Sequence, residues 1–351
     1  GGGEEPASTH TAARPPGTAG GGEEPASTHT AARPPGTAGG GEEPAGTHTA
    51  APAEDLFRFA VATIVFTIAV ILWGAVVRAT KYGDGCGAHW PYCNGEVFPT
   101  APSRPTMVEF AHRVTSGLSM LMTYAMTVFA FRVTPTAHPA RRAAVWSSIF
   151  MTGEAAIGAL LVLFKLVAHE ESTKRAVSGG LHLVNTFLLV GALVATAYAA
   201  RRPEPAVRPE LRSLTVLGAS ILLALGITGA IAALGDTLFP ARSLTAGFAQ
   251  DLSPVAHLFL RLRAAHPFTA VAGFVLMTGL VGALARRGKS LLTGRMALAV
   301  RVLFAVQIAL GLANLLALAP LWLQIVHLLS ANLLWIAYCV FAFSIEREPA
   351  T

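Results

Sequence analysis

From Phe57 onward the chain alternates long apolar runs with short polar connections. The runs cover roughly 57–79, 107–131, 143–166, 177–200, 213–234, 262–285, 297–318 and 322–344. Each is about 20 residues or more, enough to cross ~30 Å of hydrocarbon at ~1.5 Å per residue. In lipid the backbone must satisfy its own polar groups, so the runs are predicted to be helices. Pro320 marks the turn between the seventh and eighth. The pattern predicts an all-α membrane protein with eight transmembrane helices.

The pattern also repeats. Gly74-Ala75-Val76-Val77 ends the first run, and Gly229-Ala230-Ile231-Ala232 lies near the end of the fifth. The fourth run reads LHLVNTFLL from Leu181, and the eighth reads VHLLSANLL from Val326. Glu154 in the third run matches Gln307 in the seventh. The expected architecture is two pseudo-symmetric four-helix bundles, related by an axis along the membrane normal. The expected boundaries are 56–205 and 206–345, followed by a short tail at 346–351.

Residues 1–55 have no such pattern. GGGEEPASTHTAARPPGTA repeats with a period of 19 and a decayed third copy, which makes His10, His29 and His48 equivalents. Without a hydrophobic face the segment cannot offset its ordering entropy, and it is expected to be a disordered tail. It shows no signal-peptide pattern.

Composition narrows the class. The chain is 53% hydrophobic and only 13% charged, against about 25% charged in soluble domains. The net charge of +6 could suggest nucleic acid, but the basic residues flank apolar runs. Eleven lie after the second, fourth and sixth runs, among them Arg141, Arg142, Arg201 and Arg286. Fewer, among them Lys81, Arg104, Lys174, Arg175 and Arg242, lie after the first, third and fifth. The bias places both termini in the cytoplasm of a cell (inner) membrane, with the lipid bilayer and not nucleic acid as partner.

Four histidines lie within the runs: His112, His182, His266 and His327. They fall on even-numbered runs, five or six residues from the outer end, roughly 8–9 Å deep. A single such histidine reads as a contact between helices. Four at matched depth in duplicated positions read as two ligand pairs. A zinc site usually takes four ligands together, whereas two per half suit axial ligation of haem iron. His257 is a rival to His266, whose depth matches the others.

Glu109 precedes His112 by three residues and shares its helix face. It is a candidate catalytic carboxylate, with pairing to Arg104 or Arg113 as the structural reading. Arg263 takes its place in the second half. Glu154 reads as a structural polar contact more than a catalytic group. Arg78, Arg113, Arg261 and Arg263, near the outer interface, are candidates to pair haem propionates or to snorkel. Cys86 and Cys93 bracket GAHWPY in the first outer loop. A disulfide there, structural or redox-active, competes with a zinc site completed in part by His89. Cys339 reads as a buried packing residue.

GAVVRAT followed by CGAHWPYCNG, and EFAHR at 109–113, resemble the signatures of the haem A synthase family. The resemblance covers about 57–344. It implies oxidation of the C8 methyl of haem O to a formyl group, giving haem A for cytochrome oxidase. It implies that His112 and His182 receive haem O beside catalytic Glu109. His266 and His327 would be the axial ligands of a haem b cofactor, and Cys86–Cys93 would form a disulfide near the substrate. It further implies haem O synthase as a partner and an electron acceptor such as a quinone. The chain departs from the family pattern in three places. It lacks a second Cys pair in 235–261, has Glu154 where Gln is usual, and carries His-Pro-Phe at 266–268. A dihaem b-type electron-transfer cytochrome that leaves haem unmodified is the alternative, and a two-repeat transporter is a third reading.

Overall fold

The computed structural model describes residues 47–349, and the repeats with His10 and His29 lie outside them. The eight long helices are α1 (Thr47–Ala79), α2 (Arg104–Val133), α3 (Pro139–Leu163), α4 (Thr173–Arg201), α5 (Arg212–Leu238), α7 (Leu258–Ala285), α8 (Leu291–Leu316) and α9 (Leu321–Arg347). All eight are long and apolar enough to span a membrane. A short helix, α6 (Leu244–Asp251), lies between α5 and α7, where Ser243 caps it by accepting from the Ala246 amide. No strand occurs among the described residues.

Most helices begin before their apolar runs, because capping residues in the polar connections start them. Ser103, Ser172 and Ser290 each accept a backbone N–H of the first turn, which otherwise has no partner. α1 begins at Thr47, inside the segment expected to be tail. Its early turns are alanine-rich, the best helix-forming composition. Glu54 accepts from Arg201 of α4 at 2.7 and 2.9 Å and from Arg58 at 3.2 Å. Leu56, two residues on, is fully buried. Those contacts hold the extension against the loss of a backbone donor at Pro52.

The contacts form two rings of four. In the first, α1 packs on α2 and α4, and α3 packs on both. In the second, α7 packs on α5 and α8, and α9 packs on both. The rings meet where α4 packs on α5 and α9 and where α1 packs on α9. α4 and α9 are accordingly the most buried spans. Hydrophobicity gives helices no reason to associate in lipid, so close packing and hydrogen bonds must do so. Gly191 of α4 lets Trp335 of α9 approach, and the Trp335 indole donates to the Phe187 carbonyl at 2.7 Å. Cys339 is buried beside the same glycine, as a packing residue should be.

The end of α9 is clasped to the α7–α8 connection. Glu348 accepts from the Lys289 amide at 2.6 Å and from the Thr293 hydroxyl. Burial alone would raise this carboxyl. Hydrogen bonds from Ser290, Thr293 and the Lys289 amide outweigh it and hold the carboxyl below its ordinary range. A depressed carboxylate contributes stability above its unfolded value and loses it as pH falls through the folded one. Amide exchange at 288–290 should therefore be slow at neutral pH and accelerate on acidification below the usual carboxylate range. Glu348→Gln should remove that pH dependence.

Candidate functional site

The four histidines lie farther from the starts of their helices than from the starts of their apolar runs. They lie ~12, ~14, ~12 and ~9 Å below the first residues of α2, α4, α7 and α9, because those helices start within the connections. All four are half-buried. His112 is within coulombic reach of His182, and His327 of His266.

Each half builds its pair from equivalent parts. A Cβ on Gly74 of α1 would come within 3.0 Å of His112 Cε1, and one on Gly229 of α5 within 3.1 Å of His266 Cε1. These glycines let an imidazole lie flat against the neighbouring helix. The second imidazole of each half meets the third helix. His182 Nδ1 is 3.3 Å from Glu154 Oε2, though not in hydrogen-bond geometry. His327 Nε2 is 3.2 Å from Gln307 Nε2. Asn185 donates to Glu154 at 2.6 Å and Thr186 at 3.0 Å, so this carboxylate is fully hydrogen-bonded across α3 and α4. His257 stands apart: its Nδ1 accepts from the Phe259 amide at 3.3 Å as the cap of α7.

Above His112, the 80–103 loop is pinned onto α2. Cys86 and Cys93 form a disulfide and are fully buried. This rules out the zinc reading, which needs free thiolates. The Thr106 hydroxyl donates to the Gly85 carbonyl at 2.9 Å, so close that a Cβ on Gly85 would strike the Pro105 backbone. Glu109, 3% exposed, accepts from the Cys86 amide at 2.8 Å. Its other oxygen accepts from Arg113 Nε at 3.0 Å and from Nη2. Arg113 Nη1 donates to the carbonyls of His89 at 2.6 Å and Tyr92 at 2.8 Å. The carboxylate is thus paired with Arg113, and every nitrogen of that guanidinium is engaged.

The second half solves the same problem with the charge reversed. Arg263, one turn before His266, donates to Asp251 at 2.5 and 3.0 Å, to Asp236 at 3.2 Å and to the Phe239 carbonyl at 3.1 Å. It ties α6 to α5 and α7, as Glu109 ties the disulfide loop to α2. Arg78 does neither. It reaches from α1 into the other ring, donating to the Ala233 carbonyl at 2.6 Å, Thr237 at 2.8 Å and Gln324 at 2.9 Å. Arg261 donates to the Pro254 carbonyl at 2.6 Å.

Sequence reading offered Arg113 as a partner of Glu109 but overlooked its hold on the His89 and Tyr92 carbonyls, the acidic partners of Arg263, and Thr228 beside His266. The last leaves a trace in the duplication, since Thr228 precedes Gly229 as Trp73 precedes Gly74.

Residues 57–339 match the family model described as cytochrome oxidase assembly protein, COX15-CtaA. The chain belongs to that family. A protoheme IX farnesyltransferase of Thermus thermophilus is 42% identical over 298 residues, 82% of this chain and 48% of the relative. A heme A synthase of Halalkalibacterium halodurans is 35% identical over 106 residues, 30% of this chain and 36% of the relative. One from Exiguobacterium is 38% identical over 96 residues, 27% and 32% of the two chains. The chain thus spans about half the length of the Thermus relative it matches. The match spans all four histidines.

Proposed function

We propose that this protein is a haem A synthase of the cell (inner) membrane, oxidising the C8 methyl of haem O to a formyl group for cytochrome oxidase. The observation that carries this reading is the pair of imidazoles in each half, on equivalent helices of a cytochrome oxidase assembly protein. Relatives named heme A synthase support the product. The relative named for farnesyl transfer to protoheme supports haem O as substrate and its synthase as supplier.

The residues fit haem. His112 Nδ1, His182 Nδ1 and His327 Nδ1 are buried without hydrogen-bond partners, and glycine lies against the first imidazole of each pair. No cluster of three or more His, Cys, Asp or Glu that could hold a metal ion occurs among the described residues. Two nitrogen ligands per half suit a flat macrocycle, whose own nitrogens complete the coordination. His112 and His182 would hold the substrate, and His266 and His327 would hold haem b. Haem b, when bound, supplies one-electron transfer. Methyl-to-formyl oxidation takes its oxygen from water and releases four protons and two electron pairs, and the electrons pass to an acceptor of the quinone class.

Glu109 lies one turn outward from His112. Its two oxygens accept from three donors, the Cys86 amide and two nitrogens of Arg113. As an anion it would stabilise positive charge at the reacting carbon. The Arg residues flanking the connections after the second, fourth and sixth spans support cytoplasmic termini.

The test is mass spectrometry of haems extracted from a host that makes haem O but not haem A. The expected result is haem A, or its hydroxylated precursor, only when the chain is present. Purified protein carrying haem b alone, with supplied haem O unchanged in the presence of a quinone, would instead indicate an electron-transfer cytochrome.

A further inference from the structure

The two halves treat their first imidazole differently. In the second half, Thr228 Oγ1 is 3.0 Å from His266 Nδ1. The same hydroxyl donates its only proton to the Leu225 carbonyl at 3.0 Å. Engaged in this way, the hydroxyl presents lone pairs to the ring, the arrangement in which the ring nitrogen is the donor. In the first half the equivalent position is Trp73, beside Gly74. Its indole donates to the Val108 carbonyl at 3.2 Å and offers the imidazole no acceptor. His112 Nδ1 is buried with no partner.

We infer that Thr228 is a positioning residue that holds His266 with its proton on Nδ1 and Nε2 free to ligate, while Trp73 leaves His112 unheld. An acceptor on the far nitrogen fixes the tautomer and ring orientation of a ligating histidine and raises its basicity. Neither second imidazole is held in this way: His182 Nδ1 lies 3.3 Å from the Glu154 carboxylate outside hydrogen-bond geometry, and the Gln307 amide nitrogen meets His327 at Nε2 rather than Nδ1. The difference lies in the first imidazole and falls on opposite sides of the molecule's task. A resident cofactor requires a ligand that stays in place. A substrate that must leave as product requires one that releases. The inference rests on the proposed assignment of haem b to the second half.

The test uses the intact protein in two forms. In haem-free protein labelled with ¹⁵N-histidine, magnetic resonance should show His266 protonated on Nδ1. Thr228→Val should yield a mixture of tautomers, and Thr228→Ser should restore the wild-type spectrum. A His266 tautomer unchanged by Thr228→Val overturns the inference, whatever the protein does with haem. In haem-loaded protein, loss of haem b to an excess of apo-haemoprotein should be about 10–100-fold faster for Thr228→Val, the usual effect of removing a partner of a metal-bound histidine. Thr228→Ser should release it at the wild-type rate, and the haem midpoint potential should rise only in the valine variant. Equal release rates and potentials in all three proteins also overturn it. Separately, a His266→Ala protein that keeps its full haem b would refute the assignment of the cofactor to this half, while the tautomer measurement would still stand.

Discussion

Protein carrying His266→Ala or His327→Ala should leave the membrane with at least about tenfold less haem b than wild type, whereas His112→Ala and His182→Ala should retain it. The magnitude is a lower bound: removing only a partner of a metal-bound histidine costs about 10–100-fold in affinity, and these changes remove the ligand itself. The separation by halves follows from the packing. The His112 imidazole lies against Gly74 of α1, and that of His266 against Gly229 of α5, so each pair sits within its own ring of helices. Reduced-minus-oxidised spectra of the purified variants, with extracted haem quantified, provide the measurement. Loss of haem b from His112→Ala but not His266→Ala would reverse the assignment of cofactor and substrate.

The second large effect concerns Glu109. Its pair with Arg113 is buried, with side-chain exposures of 4% and 13%. Breaking such a pair by removing one partner costs about 3–5 kcal/mol, because the other charge remains buried. Glu109→Ala should therefore destabilise the disulfide loop and free the Cys86 amide, lowering the thermal midpoint in detergent. Glu109→Gln keeps the shape and can still accept hydrogen bonds. Its cost should be nearer the ~1.5–3 kcal/mol of a charge-assisted bond. Both variants should lose about 10²–10³-fold in haem A formation if the anion stabilises the reacting carbon. A fully active Glu109→Gln protein would show that the residue clamps the loop and does nothing further. Arg113→Lys discriminates further. Lysine offers a point charge without the fork that spans Glu109 and two loop carbonyls, so the loop should loosen while Glu109 keeps its charge.

The contrast between Glu109 and Arg263 gives the halves a common construction. Each stands one turn before a histidine and holds down the connection above it. Opposite charges serve because their partners are also exchanged. Glu109 accepts from a backbone N–H and an arginine, and Arg263 donates to two aspartates and a carbonyl. The asymmetry that looked chemical in the sequence is therefore structural in part. What remains distinctive of the first half is a carboxyl group one turn from His112 and a first imidazole with no partner on Nδ1.

Much was legible without coordinates. Eight spans follow from run length, since hydrocarbon thickness sets a minimum that a linear chain displays directly. The duplication, the four histidines and the matching of Glu154 with Gln307 are properties of order along the chain. The disulfide was legible only as one of two readings, because the spacing of Cys86 and Cys93 allows either. Their burial as a bonded pair decides it. The start of α1 at Thr47, the existence of α6 and the starts of the other helices within the connections were missed. Caps and salt links act at helix ends, where apolar periodicity carries no information.

The sequence by itself determined the all-helical class, the eight spans and the duplicated positions of the four histidines. Backbone satisfaction in lipid and the order of residues along the chain leave few alternatives. Only the tertiary structure decided which groups those residues meet. Arg78 crosses to the second ring, Arg113 is spent on Glu109 and its loop, and Thr228 rather than a counterpart of Trp73 faces His266. The reason is geometric. A hydrogen bond is settled within a few tenths of an ångström between helices far apart in the chain, and no local pattern encodes that distance.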